Sequence, residues 1–120
     1  MWVVDDEPAI VGYLYEFLTT AGYLVRCFSE PNQVISAFKT DMDKIDLLVT
    51  DQTMPEMSGI ELAKHIHTIK PSLPIILCSG NVSNYDPMDL KSESISCVFS
   101  KPLVIDSFLA AVSFQINKTI

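Results

Sequence analysis

The chain has 120 residues, 48% of them hydrophobic, and eight Lys and Arg stand against 15 Asp and Glu for a formal charge of −7. That length fits one domain, taken as residues 1–120, that can bury a real core. The charge argues against a nucleic-acid footprint, which needs a basic patch. No apolar run approaches the roughly 18–20 residues of a membrane span, and the N-terminus has no signal-peptide pattern. The expected location is the cytoplasm.

Strand one is read over Met1 to Val4 and looks clipped, as though natural sequence lies upstream. Helix one starts near Pro8, which suits a first helical turn. Ile10, Leu14, Phe17, Leu18 and Ala21 recur at helical spacing as its inward stripe, and Gly22 is a natural stop. Strand two is Leu24 to Phe28. Ser29 is the expected cap of helix two, with Pro31 in its first turn and Val34, Ile35 and Phe38 inward. Thr40 to Lys44 reads as a polar turn. Strand three, Asp46 to Thr50, is apolar in its interior, as a strand covered on both faces should be.

A loop, Met54-Pro55-Glu56-Met57-Ser58-Gly59, leads into helix three, from Ser58 to about Lys70, with Ile60, Ala63, Ile66 and Ile69 inward. Strand four is Pro74 to Cys78. Asn81 to Glu93 is polar, contains Pro87, and reads as a short or mobile fourth helix. Strand five is Ser96 to Ser100. Helix five spans Val104 to Asn117, with Ile105, Phe108, Leu109, Val112 and Ile116 inward and Asp106 at its positive end. Cys27, Cys78 and Cys97 lie inside strand-like runs without metal-ligand spacing and read as buried, reduced thiols. His65 and His67 point away from each other on a helix and cannot share a metal.

Strands alternating with helices predict an α/β fold: a doubly wound, flavodoxin-like, five-stranded parallel sheet in the order 2-1-3-4-5, with five helices. In such a sheet the residues just past the strand ends gather along one edge, where open α/β folds keep their sites. Asp5-Asp6-Glu7 follows strand one, Asp51 follows strand three, Ser79-Gly80 follows strand four and Lys101-Pro102 follows strand five. Three aspartates, a hydroxyl and an amine should therefore share one crevice.

Carboxylates so crowded repel, by about 3 kcal/mol per pair at 5 Å and an effective dielectric near 20. A hard divalent cation such as Mg²⁺ relieves that repulsion. Beside a metal, the Asp51 carboxylate can attack a phosphoryl group and form an acyl phosphate. Lys101 is the candidate cation for the transferred oxygens, and Ser79 the candidate hydroxyl donor. Taken singly each is weak; a surface lysine and a capping acid are the plain readings. Their shared placement at four strand ends makes the signal specific.

The set Val3-Val4-Asp5-Asp6-Glu7-Pro8, Leu48-Val49-Thr50-Asp51-Gln52-Thr53-Met54-Pro55-Glu56-Met57-Ser58-Gly59, Ile76-Leu77-Cys78-Ser79-Gly80 and Ser100-Lys101-Pro102-Leu103 closely resembles receiver domains of two-component response regulators. The resemblance covers essentially the whole chain. It implies that Asp51 accepts phosphate from the phosphohistidine of a histidine kinase or phosphotransfer domain, and that the protein catalyses only that transfer and slow hydrolysis. It implies that Asp6 binds Mg²⁺ directly, Asp5 largely through water, and Thr53 through its backbone carbonyl. Ser79 and Lys101 would contact the phosphoryl group, and the Lys101–Pro102 bond would be cis. The face of helix four, strand five and helix five is the implied dimer or partner surface. A softer likeness is to receivers at the C-terminus of hybrid sensor kinases.

One position departs from the pattern. The family's switch aromatic lies three residues before the lysine, and here that residue is Val98; Phe99 points to the opposite sheet face. Signalling would then run through the loop after strand four. Three rival readings are weaker. A haloacid-dehalogenase-type phosphatase needs a second Asp where Thr53 stands. A flavin-binding domain needs a Ser/Thr/Gly-rich loop where Asp5, Asp6 and Glu7 stand. A receiver-like interaction module that works without phosphate fits Val98 but leaves the five site residues without a task.

Overall fold

Alternation along the strands divides the core into two apolar layers, one on each side of a single sheet. The computed structural model describes residues 1–80 and 95–117. In chain order these form β1 (Trp2–Val4), α1 (Pro8–Thr20), β2 (Arg26–Phe28), α2 (Pro31–Asp41), a 3₁₀ turn (Met42–Lys44), β3 (Leu48–Asp51), α3 (Gly59–His67), β4 (Ile75–Ser79), β5 (Ile95–Ser100) and α4 (Ile105–Asn117). All five strands are parallel, in the expected order β2-β1-β3-β4-β5. The expected helix within Asn81 to Glu93 lies outside the described residues, so α4 here is the expected fifth helix.

Trp2, Val4, Leu48, Ile75 and Leu77 pack with Val34, Phe38, Leu62 and Ile66 of α2 and α3. Their strand neighbours Val3, Leu47, Val49, Ile76 and Cys78 pack with Leu14 and Leu18 of α1 and Phe108 and Val112 of α4. This is period-two side-chain geometry in a sheet covered on both faces. Val98 joins the first layer and Phe99 the second, where its ring meets Phe108 edge-on at 5.6 Å. The strand register aligns the carboxyl ends. Val4 lies opposite Thr50, Asp51 opposite Cys78, and Ser79 opposite Ser100, so the residues that end these strands reach nearly the same level.

Several local expectations are corrected. Phe17 and Ala21 are exposed rather than inward. Leu14 and Leu18 alone supply the buried (i, i+4) pair of α1, and Phe17 lies about 100° off that line. Its ring instead contacts Tyr13 one turn earlier, at 4.7 Å. Ile69 is also exposed: α3 stops at His67 with Thr68 as its C-cap, and the helical phase that pointed Ile69 inward ends there. Glu30, not Ser29, caps α2. The Gln33 N–H donates to the Glu30 carbonyl at 3.2 Å, and the Gln33 amide oxygen reaches back to accept from the Glu30 N–H at 3.3 Å. Cys27 and Cys97 are half-buried, whereas Cys78 is fully buried, and all three thiols are free. Gly22 takes the left-handed backbone expected of a helix stop, with φ +99°.

Candidate functional site

Each site residue continues a strand and is held there by backbone bonds. The Asp5 N–H donates to the Phe28 carbonyl at 3.3 Å, just beyond β1. The Asp5 carboxylate then turns back to accept from the Glu7 N–H at 2.9 Å, an Asx-type turn that sets its direction before α1 begins. Asp51 is the last residue of β3. The ladder to β4 runs one residue further, with the Gln52 N–H donating to the Cys78 carbonyl at 2.9 Å, so the Asp51 backbone is fixed on both sides. Ser79 ends β4 and is buried, and its carbonyl accepts from the Lys101 N–H at 2.9 Å. The Lys101–Pro102 bond is cis, as the resemblance implied.

These placements bring together residues 96 apart in sequence. The Lys101 ammonium lies 2.8 Å from an Asp51 carboxylate oxygen and 3.3 Å from one of Asp5. Asp5, Asp6 and Asp51 each offer a carboxylate oxygen within 4.8 Å of the others. Asp5 and Asp51 are buried and Asp6 is exposed. Burial raises the Asp5 carboxyl above its usual range, with the Asp51 charge acting the same way, against the Glu7 backbone bond and Lys101. Burial alone would lower Lys101, but the bonds and charges of Asp51 and Asp5 hold its ammonium above the usual value. Lys101 offsets only part of the carboxylate charge. Three hard oxygen donors at this spacing, one of them open to solvent, fit a small divalent cation such as Mg²⁺. Thr53, whose carbonyl was the fourth expected ligand, is exposed in the loop two residues past Asp51.

Three features of the site have little or no trace in the sequence. A cavity of about 550 Å³ opens beside Asp51 and Lys101, walled by Ile10, Tyr13, Leu14, Val49 and Leu103. It forms only because the first turns of α1 and the Lys101–Leu103 segment flank the same strand ends. Gly59 comes so close to the strand that an added Cβ would collide with the Asp51 carbonyl and lie 2.7 Å from a Leu77 methyl. Gln52 accepts the Ile60 N–H at 2.8 Å through its side chain. Cys78, beside Asp51, is no rival nucleophile: burial pushes its thiol up to about 12.

The family model described as "Response regulator receiver domain" matches residues 1–113. The chain belongs to the response regulator receiver family. It is 31% identical over 117 residues to the DNA-binding transcriptional regulator NtrC of Proteus hauseri, a match that takes in 98% of this chain and 24% of that protein. It therefore spans about a quarter of that relative's length. A receiver-domain protein of Clostridium thermocellum superposes with a TM-score of 0.89 at 25% identity, over 98% of this chain and 94% of that one. The receiver domain of the Francisella response regulator 1452 superposes with a TM-score of 0.90 at 21% identity, over 99% and 97%. At that second level of identity the likeness speaks for the fold alone. No helix among the described residues is long and apolar enough to cross a membrane.

Proposed function

We propose that the chain is a phosphorylation-dependent signalling switch of the cytoplasm in which Asp51 accepts a phosphoryl group from the phosphohistidine of a histidine kinase or phosphotransfer domain. The observation that carries this reading is the buried Asp51 carboxylate, 2.8 Å from the Lys101 ammonium and grouped with Asp5 and Asp6. In the transfer, an Asp51 oxygen attacks phosphorus, the phosphorus–nitrogen bond breaks, and the imidazole of the donor leaves with the bonding electrons. Asp5, Asp6, Asp51 and the Thr53 carbonyl would hold Mg²⁺. When bound, the ion supplies charge neutralisation for the phosphoryl oxygens.

The chain's own residues do the rest. Lys101 is within reach of Asp51 in the resting site and can shift onto a transferred oxygen without leaving the crevice. The Ser79 hydroxyl, at the next strand end, would donate to a second oxygen. The apolar cavity beside Asp51 gives the donor's helix a place to rest against Ile10, Tyr13 and Leu103. The protein acts as an enzyme only on itself, by taking up the group and slowly hydrolysing it, and its output is a changed binding surface. The expected dimer face includes residues outside those described.

Mixing the protein with Mg²⁺ and beryllofluoride tests this. Wild type should show saturable binding, and Asp51→Asn should show none. If the two proteins behave alike, Asp51 is not the acceptor and the phosphate-independent interaction module takes over.

A further inference from the structure

We propose that Gln52 is a positioning residue: it ties the loop bearing the Thr53 carbonyl to the end of β3, and so sets how tightly the acidic pocket holds a divalent cation. The inference rests on the receiver reading of the site. A helix begins with N–H groups that have no partner inside the helix. In α3 the first is the Gly59 N–H, which donates to the Gln52 carbonyl at 3.0 Å. The second, Ile60, donates to the Gln52 side-chain oxygen at 2.8 Å. At the cap itself the Ser58 N–H donates to the Glu61 carboxylate at 3.4 Å, and the Glu61 N–H donates to the Ser58 hydroxyl at 3.1 Å. Two of the four donors therefore end on one residue, the one that follows the nucleophile.

Gln52 also donates its own N–H to Cys78 of β4. A single residue thus joins the sheet to the head of α3 and closes the loop of residues 53–58 at its base. Thr53 is the first residue of that closed loop, so its carbonyl direction follows from where the loop begins and ends. The lack of room for a Cβ at Gly59 shows how tight the closure is. The side chain must be long and must accept. Asn is one methylene shorter, and an apolar side chain of the same length leaves the Ile60 N–H without its partner. Groups that orient metal ligands from behind commonly change metal affinity by about 10- to 100-fold when removed.

The test compares wild type, Gln52→Met and Gln52→Glu by calorimetric Mg²⁺ titration and by amide hydrogen exchange in the metal-free protein. Gln52→Met should bind Mg²⁺ about tenfold more weakly. Its Ile60 and Gly59 amides should exchange faster while the Leu48 and Leu77 amides of the strands keep their protection, which separates a freed loop from general loss of stability. Gln52→Glu keeps an acceptor at the same reach, so Ile60 protection should return whatever its added charge does to the cation. Mg²⁺ affinity in Gln52→Met equal to wild type, or unchanged exchange at Ile60, overturns the inference alone. A wild type that takes up no Mg²⁺ removes the proposed phospho-acceptor function, and the inference falls with it.

Discussion

On the α2/α3 side of the sheet, Val34, Phe38, Leu62 and Ile66 are buried essentially completely. On the α1/α4 side, Leu14, Leu18, Phe108 and Val112 are buried as well, yet Tyr13, Phe17 and Phe114 stand exposed and the cavity opens beside Asp51. The strands are not the source of the contrast, because they feed alternate residues to both layers. The helices are. Helix α3 starts against the Asp51 carbonyl and seals its side, whereas α1 starts three residues beyond Asp5 and stands off from Lys101 and Leu103. One side of the sheet holds the site in place and the other gives access to it.

The largest expected effect tests the closed side. Phe38→Ala should cost about 3–5 kcal/mol in denaturant unfolding, because a buried aromatic leaves a cavity. Tyr13→Ala on the open side should stay within about 0.5 kcal/mol. Similar costs for the two would erase the contrast. Next, Gly59→Ala should cost about 3 kcal/mol, since its methyl can be housed only by moving α3 or the end of β3. A neutral result in the same unfolding experiment would show that α3 is not docked on the strand.

A change in the opposite direction is expected at the site. In metal-free protein, Asp51→Asn removes two carboxylate repulsions against one attraction, and Lys101 keeps Asp5 as a partner. The variant should be more stable by on the order of 1–2 kcal/mol, read as a raised thermal midpoint. A lowered midpoint would mean that Lys101 already neutralises the cluster. The smallest effect lies at the far edge of the sheet, away from both the site and the cavity. The Arg26 hydrogen bond, aided by Lys44, holds the Asp41 carboxyl below the usual carboxylate range. A depressed carboxyl contributes stability above its unfolded value that is lost as pH falls through its folded value. Asp41→Asn should flatten that part of the acid limb while leaving Mg²⁺ binding unchanged. An unaltered acid limb would show that the pair is fully screened by solvent.

Much of the fold and site is legible in the residues because it depends on period and punctuation. The apolar runs, their order and the acids, hydroxyl and amine at their ends suffice to place Asp5, Asp6, Asp51, Ser79 and Lys101 in one crevice. The differences arise where local pattern competes with packing. Phe17 fits a helical stripe but lies about 100° off the Leu14–Leu18 line and stays exposed. Ser29 is a good cap, but the Gln33 side chain reaches back to the Ser29 and Glu30 N–H groups and sets the helix start at Glu30. Gln115 lies outside the expected inward stripe, yet it is buried, with its amide nitrogen 3.4 Å from the Cys97 sulfur.

Chain chemistry by itself determined which acids, hydroxyl and amine stand within a residue of the strand ends, since alternation of apolar runs and helix signals is a property of neighbours along the backbone. The folded arrangement alone decided the cavity between α1 and Leu103, the absence of space at Gly59 and the reach of Gln52 to Ile60. Each of these is a distance between segments separated by a loop or by most of the chain, and such distances are set by how helices settle on a twisted sheet.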